Sequence, residues 1–229
     1  MKYICIWFDL GHTLIKPTIG TRYRQVLSGQ GIHKELTEID RAFYLANKSF
    51  MRDYPHVLET APEFHMPWYL GVVNYHLGVQ VSLEKACSRL AELKGAAQKH
   101  WDLIDGARET LECVRSMGYR TGLISNWDST CRTILKESCL EPVLDTVIFS
   151  SEVGSGKPES KIFEIAFKTA GVRPEQCLHV GDNYYDDIKG AQGVGMDCLL
   201  IDPYHDPGPE GLKEIPVITS VKEVLKYLE

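Results

Sequence analysis

A chain of 229 residues with 44% hydrophobic and 24% charged residues has the make-up of an ordinary folded protein, long enough for one large domain or two modest ones. Its net charge of −6 excludes a broad basic face for nucleic acid. The opening MKYICIWFDL holds an apolar run too short for a signal peptide or a membrane span, and seven scattered cysteines without a close CxxC pair fit reduced, mostly buried thiols, so a cytoplasmic protein with no membrane partner is expected.

The run YICIWF reads as a strand covered on both faces, as in a parallel sheet. After Pro17 the spacing turns helical. Ile39, Ala42, Phe43, Ala46 and Phe50 recur at three and four, with Thr37 as the N-cap; Pro67 opens a second helix that ends near Gly78; Leu83, Ala86, Cys87, Leu90 and Leu93 mark a third. Between them YPHVLETAPEFHMPW, rich in Pro and aromatics, reads as a structured loop. No strand is expected from Thr18 to Lys99.

Beyond Trp101 strands and helices alternate. Asp105 caps a helix stopped by Gly118, YRTGLIS is a strand, and a helix through Ile134 and Leu135 leads to the strand TVIFS. Pro158 starts a helix that stops at Gly171. CLHVGD is a strand, YYDDIKGAQG a short helix and MDCLLID a strand, and Ser220 with Glu223 makes a capping box for the last helix. This pattern predicts an α/β fold, a doubly wound parallel sheet spanning residues 1–17 and 100–229, interrupted after its first strand by an all-helical insert at 18–99.

Polar residues stand at four strand ends: Asp9, Ser125 with Asn126, Lys157, and Asp182. In a parallel sheet those ends meet along one edge. Two carboxylates, a hydroxyl and an ammonium there suit a phosphate together with a divalent cation such as Mg²⁺.

The four stretches that carry these residues, FDLGHTL, ISNWD, GKPESKIF and HVGDNYYDDIKGA, stand in the order and with the spacing of the haloacid dehalogenase-like superfamily, which this chain resembles. Most of that superfamily's members are Mg²⁺-dependent phosphatases, and the helical insert sits where its helical cap sits. The last stretch most resembles the branch named for a rhythmically expressed protein. The resemblance implies that Asp9 attacks phosphorus and becomes an aspartyl phosphate. It implies that Asp9, Asp182 and the Gly11 carbonyl bind Mg²⁺, with Asp187 as a metal or water-shell ligand and Asp186 its competitor. Ser125 and Asn126 would hold the phosphate, and Lys157 would balance the charge between phosphoryl group and nucleophile. The partner implied is a small phosphorylated molecule.

The departure from the family's pattern is Gly11, which stands where the phosphatases usually carry a second Asp as general acid and base. A positioned acid–base group is worth ~10²–10⁴ in rate. Its loss leaves three routes open: a substrate with a good leaving group, a substitute proton donor, or a protein that binds a phosphorylated ligand with little turnover. His12 is the nearest substitute donor; His56 and His65 in the insert are others. Tyr54, Trp68 and Tyr69 are candidates to line a substrate cleft, and Trp127 is placed to touch the leaving group. A metal-independent dehalogenase, with Arg22 or Arg24 receiving halide, is a further alternative; Asp182 speaks against it, since without a cation it adds repulsion beside Asp9.

Overall fold

The structure is a computed structural model and describes residues 2–54, 57–96, 101–205 and 215–228. The chain divides into two compact units, one of Met1–Lys16 with Trp101–Glu229 and one of Pro17–His100.

The first unit is built on a parallel six-stranded sheet. Its strands are β1 (Cys5–Phe8), β4 (Arg120–Ser125), β5 (Thr146–Phe149), β6 (Cys177–Gly181), β7 (Asp197–Ile201) and β8 (Val217–Ile218), in the order β5-β4-β1-β6-β7-β8. A short separate pair joins β2 (Ile15–Pro17) to β3 (Trp101–Leu103). The chain runs outward from β1 through β4 to β5, then returns to β6 on β1's other side and runs outward again. The order therefore reverses at β1, where doubly wound sheets bind ligands.

The central strands are apolar because both faces are covered. Ile6 and Phe8 pack on one side with Leu123, Leu178 and Val180; Cys5 and Trp7 pack on the other with Ile162, Phe163 and Cys177. Gly122 lies opposite Trp7 in the sheet, and a Cβ on it would stand 2.2 Å from the indole, so the glycine makes room for that ring. The flanking helices are α5 (Ala107–Ser116), α6 (Cys131–Glu137), α7 (Ser150–Val153), α8 (Ser160–Ala170) and α9 (Lys189–Gly193). All seven cysteines are free, four of them buried and Cys139 exposed.

The second unit is helical: α1 (Ile19–Ser28), α2 (Leu36–Asp53), α3 (Pro62–Leu77) and α4 (Leu83–Ala96). Its core gathers Tyr23, Ile39, Phe43, Phe50, Leu70 and Val73. Polar links run through it as well: Tyr23 donates to Asn74, and Tyr69 donates to Asn47 at 2.7 Å.

Several local expectations are corrected. The N-cap of α2 is Glu35, whose N–H donates to Glu38 at 3.0 Å, rather than Thr37. α3 begins at Pro62 inside the stretch read as a loop, and Pro67 lies within it, costing one backbone hydrogen bond but not the helix. Gly106 in a left-handed conformation precedes α5, and Asp105 pairs instead with Lys222 at 2.5 Å. The final element is a tight helix over Val221–Tyr227; Ser220 caps it, while Glu223 accepts from the Thr219 N–H rather than from Ser220.

Candidate active site

Three strand ends and one loop supply the polar residues. Asp9 follows β1, its N–H bonded to the Val180 carbonyl of β6 at 2.9 Å, which ties the carboxylate to the seam where strand order reverses. Ser125 ends β4, Asp182 follows β6, and Lys157 precedes α8; all four are buried.

Asp9, Asp182 and Asp187 converge, each offering an oxygen within 4.8 Å of the others. The Lys157 ammonium lies between two of them, 2.6 Å from Asp9 Oδ1 and 2.5 Å from Asp187 Oδ1. Asp187 is in addition met by His179 Nε2 at 2.8 Å and by the Asn183 N–H at 3.0 Å. Asp186, one residue away, is half-buried and held by the Asn183 side chain at 2.8 Å. Of the two neighbouring acids it is thus Asp187 that the turn at Tyr184–Ile188 directs into the cluster.

The charges are strongly coupled. Burial pushes Asp9 above the usual carboxylate range, Lys157 opposes this, and Asp187 adds to it. Burial acts on Asp187 in the same sense, but Lys157 and His179 outweigh it and hold that carboxyl below its ordinary value. Burial alone would lower Lys157, yet the two carboxylates raise it, so it stays an ammonium. Three carboxylates facing one ammonium leave an excess of negative charge, and their donors are all hard oxygens. That set fits a divalent cation of the magnesium type.

The Asn126 side chain is tied to the lysine loop. Its Nδ2 donates to the Lys157 carbonyl at 2.8 Å and its Oδ1 accepts the Lys157 N–H at 2.7 Å, so its amide shapes the lysine loop. Ser125, one residue earlier, bonds Asp9 and helps lower its pKa. Gly11 lies in the turn after β1, and a Cβ built on it would meet the Trp127 ring at 3.4 Å. Trp127 packs edge-on against Trp101, ring centroids 4.8 Å apart. His12 has a left-handed backbone, φ 56°, and its crowded surroundings pull the imidazole down to about 4.

In the helical unit, Tyr69 and His65 are buried in the unit's own packing, so Tyr69 is a core residue there. Trp68 is partly exposed against Phe50 and Tyr54, with centroids 4.6 and 4.3 Å away. His56 lies outside the described residues. Arg22 donates to Thr18 Oγ1 at 2.6 Å.

Sequence reasoning missed His179 and Asn183. The signal was present: a histidine in the middle of an otherwise apolar strand needs a reason to be there.

The haloacid dehalogenase-like hydrolase family matches residues 5–195, a span that takes in all of these polar residues. The chain belongs to that family. Among its relatives, the haloacid dehalogenase-like hydrolase domain-containing protein 3 of Xenopus laevis is 30% identical over 100% of this chain and 96% of its own. The rhythmically expressed gene 2 protein of Drosophila melanogaster is 27% identical over 87% and 83%. A glyceraldehyde 3-phosphate phosphatase of Pyrococcus furiosus is 26% identical over 98% and 92%. In fold, the HAD-hydrolase YfnB of Bacillus subtilis, solved bound to magnesium, matches 100% of both chains with a TM-score of 0.66 at 20% identity. The haloacid dehalogenase-like sheet is the one described above, and no described helix is long and apolar enough to cross a membrane.

Proposed function

We propose that this chain is a Mg²⁺-dependent phosphatase of a small phosphorylated metabolite, working through an aspartyl phosphate on Asp9. The observation that carries this reading is the convergence of Asp9, Asp182 and Asp187 beside Lys157. A haloacid dehalogenase-like protein that attacks carbon has no use for a buried trio of carboxylates, whose mutual repulsion calls for a cation. The phosphatase name of one relative points the same way.

In this reading Asp9, Asp182 and the Gly11 carbonyl would hold Mg²⁺, with Asp187 as a further metal or water-shell ligand whose Oδ1 already accepts from Lys157 and His179. Bound Mg²⁺ would neutralise charge on the phosphoryl oxygens and orient the group. An Asp9 oxygen attacks phosphorus, the bond to the leaving oxygen breaks, and water later cleaves the acyl phosphate to return free Asp9 and inorganic phosphate. Lys157 offsets the charge between nucleophile and phosphoryl group, and the Ser125 hydroxyl donates a hydrogen bond to a phosphate oxygen. Asn126 acts by holding the Lys157 backbone.

Gly11 can neither protonate the leaving oxygen nor activate water. The missing ~10²–10⁴ in rate corresponds to roughly 3–5 kcal/mol of barrier. His12, pulled below neutrality by burial, is uncharged and a poor acid near pH 7. The activity is therefore directed to substrates whose leaving group needs little protonation. The same glycine favours a second reading, a binder of phosphorylated ligands with little turnover.

The test offers purified protein aryl, acyl, alkyl and sugar phosphates, with Mg²⁺ or with chelator, beside Asp9→Asn. Mg²⁺-dependent turnover of aryl and acyl phosphates, lost in Asp9→Asn, supports the phosphatase. Ligand binding that needs Mg²⁺ without any turnover supports the binder. Halide release from a haloacid in chelator overturns both.

A further inference from the structure

His179 has no part in the chemistry above, yet it is fully buried at the centre of β6. Strand alternation puts Cys177, His179 and Gly181 on one face of the sheet and Leu178 and Val180 on the other. An imidazole in such a place is costly unless its polar atoms are hydrogen-bonded. Its Nε2 lies 2.8 Å from Asp187 Oδ1. A carboxylate only accepts, so Nε2–H is the donor. Nδ1 has no hydrogen-bond partner among the described residues, which leaves the ring a single polar anchor. The Phe163 ring meets the imidazole edge-on, centroids 5.9 Å apart, and sets its plane.

Two residues further along the same strand face stands Gly181. A Cβ there would lie 2.2 Å from Asp187 Cγ and Oδ2. The strand thus presents a donor and then a gap; the Asp187 carboxylate fills the gap and takes the donor. The oxygen that His179 binds is the one that also receives Lys157 Nζ at 2.5 Å.

We propose that His179 is a positioning residue, whose Nε2–H fixes the Asp187 carboxylate and thereby aims the Lys157 ammonium at Asp9. Its catalytic consequence rests on the phosphatase reading; its structural one rests on the hydrogen bond alone. An apolar residue of similar size would fill the strand as well, but would leave Asp187 Oδ1 with Lys157 as its sole fixed partner. Beyond Lys157 the carboxylate would then be held only at Oδ2 by the Asn183 N–H, and the charge set against Asp9 would lose part of its direction.

Nitrogen-15 NMR of the histidine-labelled full chain reads which ring nitrogen carries the proton, and Nε2 is expected. His179→Leu and His179→Gln are then compared with the wild type for Mg²⁺ affinity by calorimetry and for kcat and KM on an aryl phosphate. Loss of an outer partner of this kind typically costs about 10–100-fold. His179→Leu is expected to lose that much in kcat or Mg²⁺ affinity with KM little changed. His179→Gln, whose amide nitrogen reaches about as far as Nε2, is expected to recover most of it. A proton found on Nδ1, a Leu variant equal to the wild type in both measurements, or equal losses in the two variants would overturn the proposal. Should His179→Leu fail to fold, the NMR result and the Gln variant decide. Absence of any phosphate turnover by the wild type would sink the phosphatase reading, while the NMR signature and the Mg²⁺ affinities would still decide the part played by His179.

Discussion

Asn126 and Lys157 hold each other by two hydrogen bonds, side-chain amide to backbone on both its donor and its acceptor side, at 2.8 and 2.7 Å. The pair joins the end of β4 to the loop before α8, thirty-one residues later in the chain. It fixes the backbone from which the Lys157 side chain reaches Asp9 and Asp187.

Replacing Asn126 by Leu removes both bonds at once. The Lys157 backbone then drifts, and a displacement of about 1 Å in a positioned group is enough to cost about 10²-fold in rate. Steady-state kinetics on an aryl phosphate should show that loss in kcat, while Mg²⁺ affinity, which the proposal assigns to the carboxylates rather than to the lysine loop, stays close to wild type. Equal kcat in the variant would mean the clamp has no catalytic part.

Gly181→Ala puts a methyl group where the Asp187 carboxylate now sits. Overpacking of a tight site costs typically 1–3 kcal/mol, roughly. Urea unfolding should show a loss of about that size, and it should come with weakened Mg²⁺ binding, because the displaced carboxylate cannot stay near Asp9. A stable variant with unchanged Mg²⁺ affinity would place Asp187 outside the metal's surroundings.

Gly11→Asp restores a carboxylate two residues after the nucleophile, but its Cβ meets the Trp127 ring at contact distance, 3.4 Å. The single variant is therefore expected to raise turnover of alkyl phosphates less than the pair Gly11→Asp with Trp127→Ala, for which a gain of about 10²-fold, the lower end for a positioned acid, is expected. Rates on aryl phosphates should move little. Additive effects of the two substitutions would show that the indole and the missing acid do not share space.

His65, buried in the helical unit with Thr60 Oγ1 3.3 Å from Nδ1, titrates below its ordinary value because burial penalises the charged ring, against a smaller opposing effect of Glu63. In the unfolded chain a histidine titrates near ~6.5. As pH falls through that value the unfolded state takes up the proton first, so stability is lost on the acid side and is fully present above it. Denaturant midpoints should fall from pH 7.5 to pH 5.5, values chosen roughly to bracket that titration, and His65→Gln should flatten the decline. An unchanged slope in the variant would assign the acid sensitivity elsewhere.

The sheet and the residues at its strand ends were legible because covered parallel strands are written as apolar runs, and the first polar residue after such a run has one place to go. YICIWF before Asp9 and CLHVG before Asp182 are of this kind. Helix starts were less legible. Thr37 and Asp105 have the chemistry of caps, yet Glu35 and Gly106 occupy those positions, because the entry angle of the chain is set by packing that the sequence does not display locally. The choice between Asp186 and Asp187 turned on a single residue of helical phase, finer than spacing can resolve; the unusually wide turn at Tyr184–Ile188 shifts that phase. The bonds of the Asn126 amide to a backbone thirty-one residues away are of a kind that local spacing does not display.

At the centre of the proposed site is one cation among three carboxylates. The most direct measurement is anomalous scattering from crystals of the full chain grown in Mn²⁺ as a stand-in for Mg²⁺. A peak is predicted at about 2.0–2.3 Å from oxygens of Asp9 and Asp182, with the Gly11 carbonyl as a further ligand, absent in Asp9→Asn. Well-ordered Asp9 and Asp182 side chains turned apart in ample Mn²⁺, or the Lys157 ammonium standing where the peak should be, would contradict it.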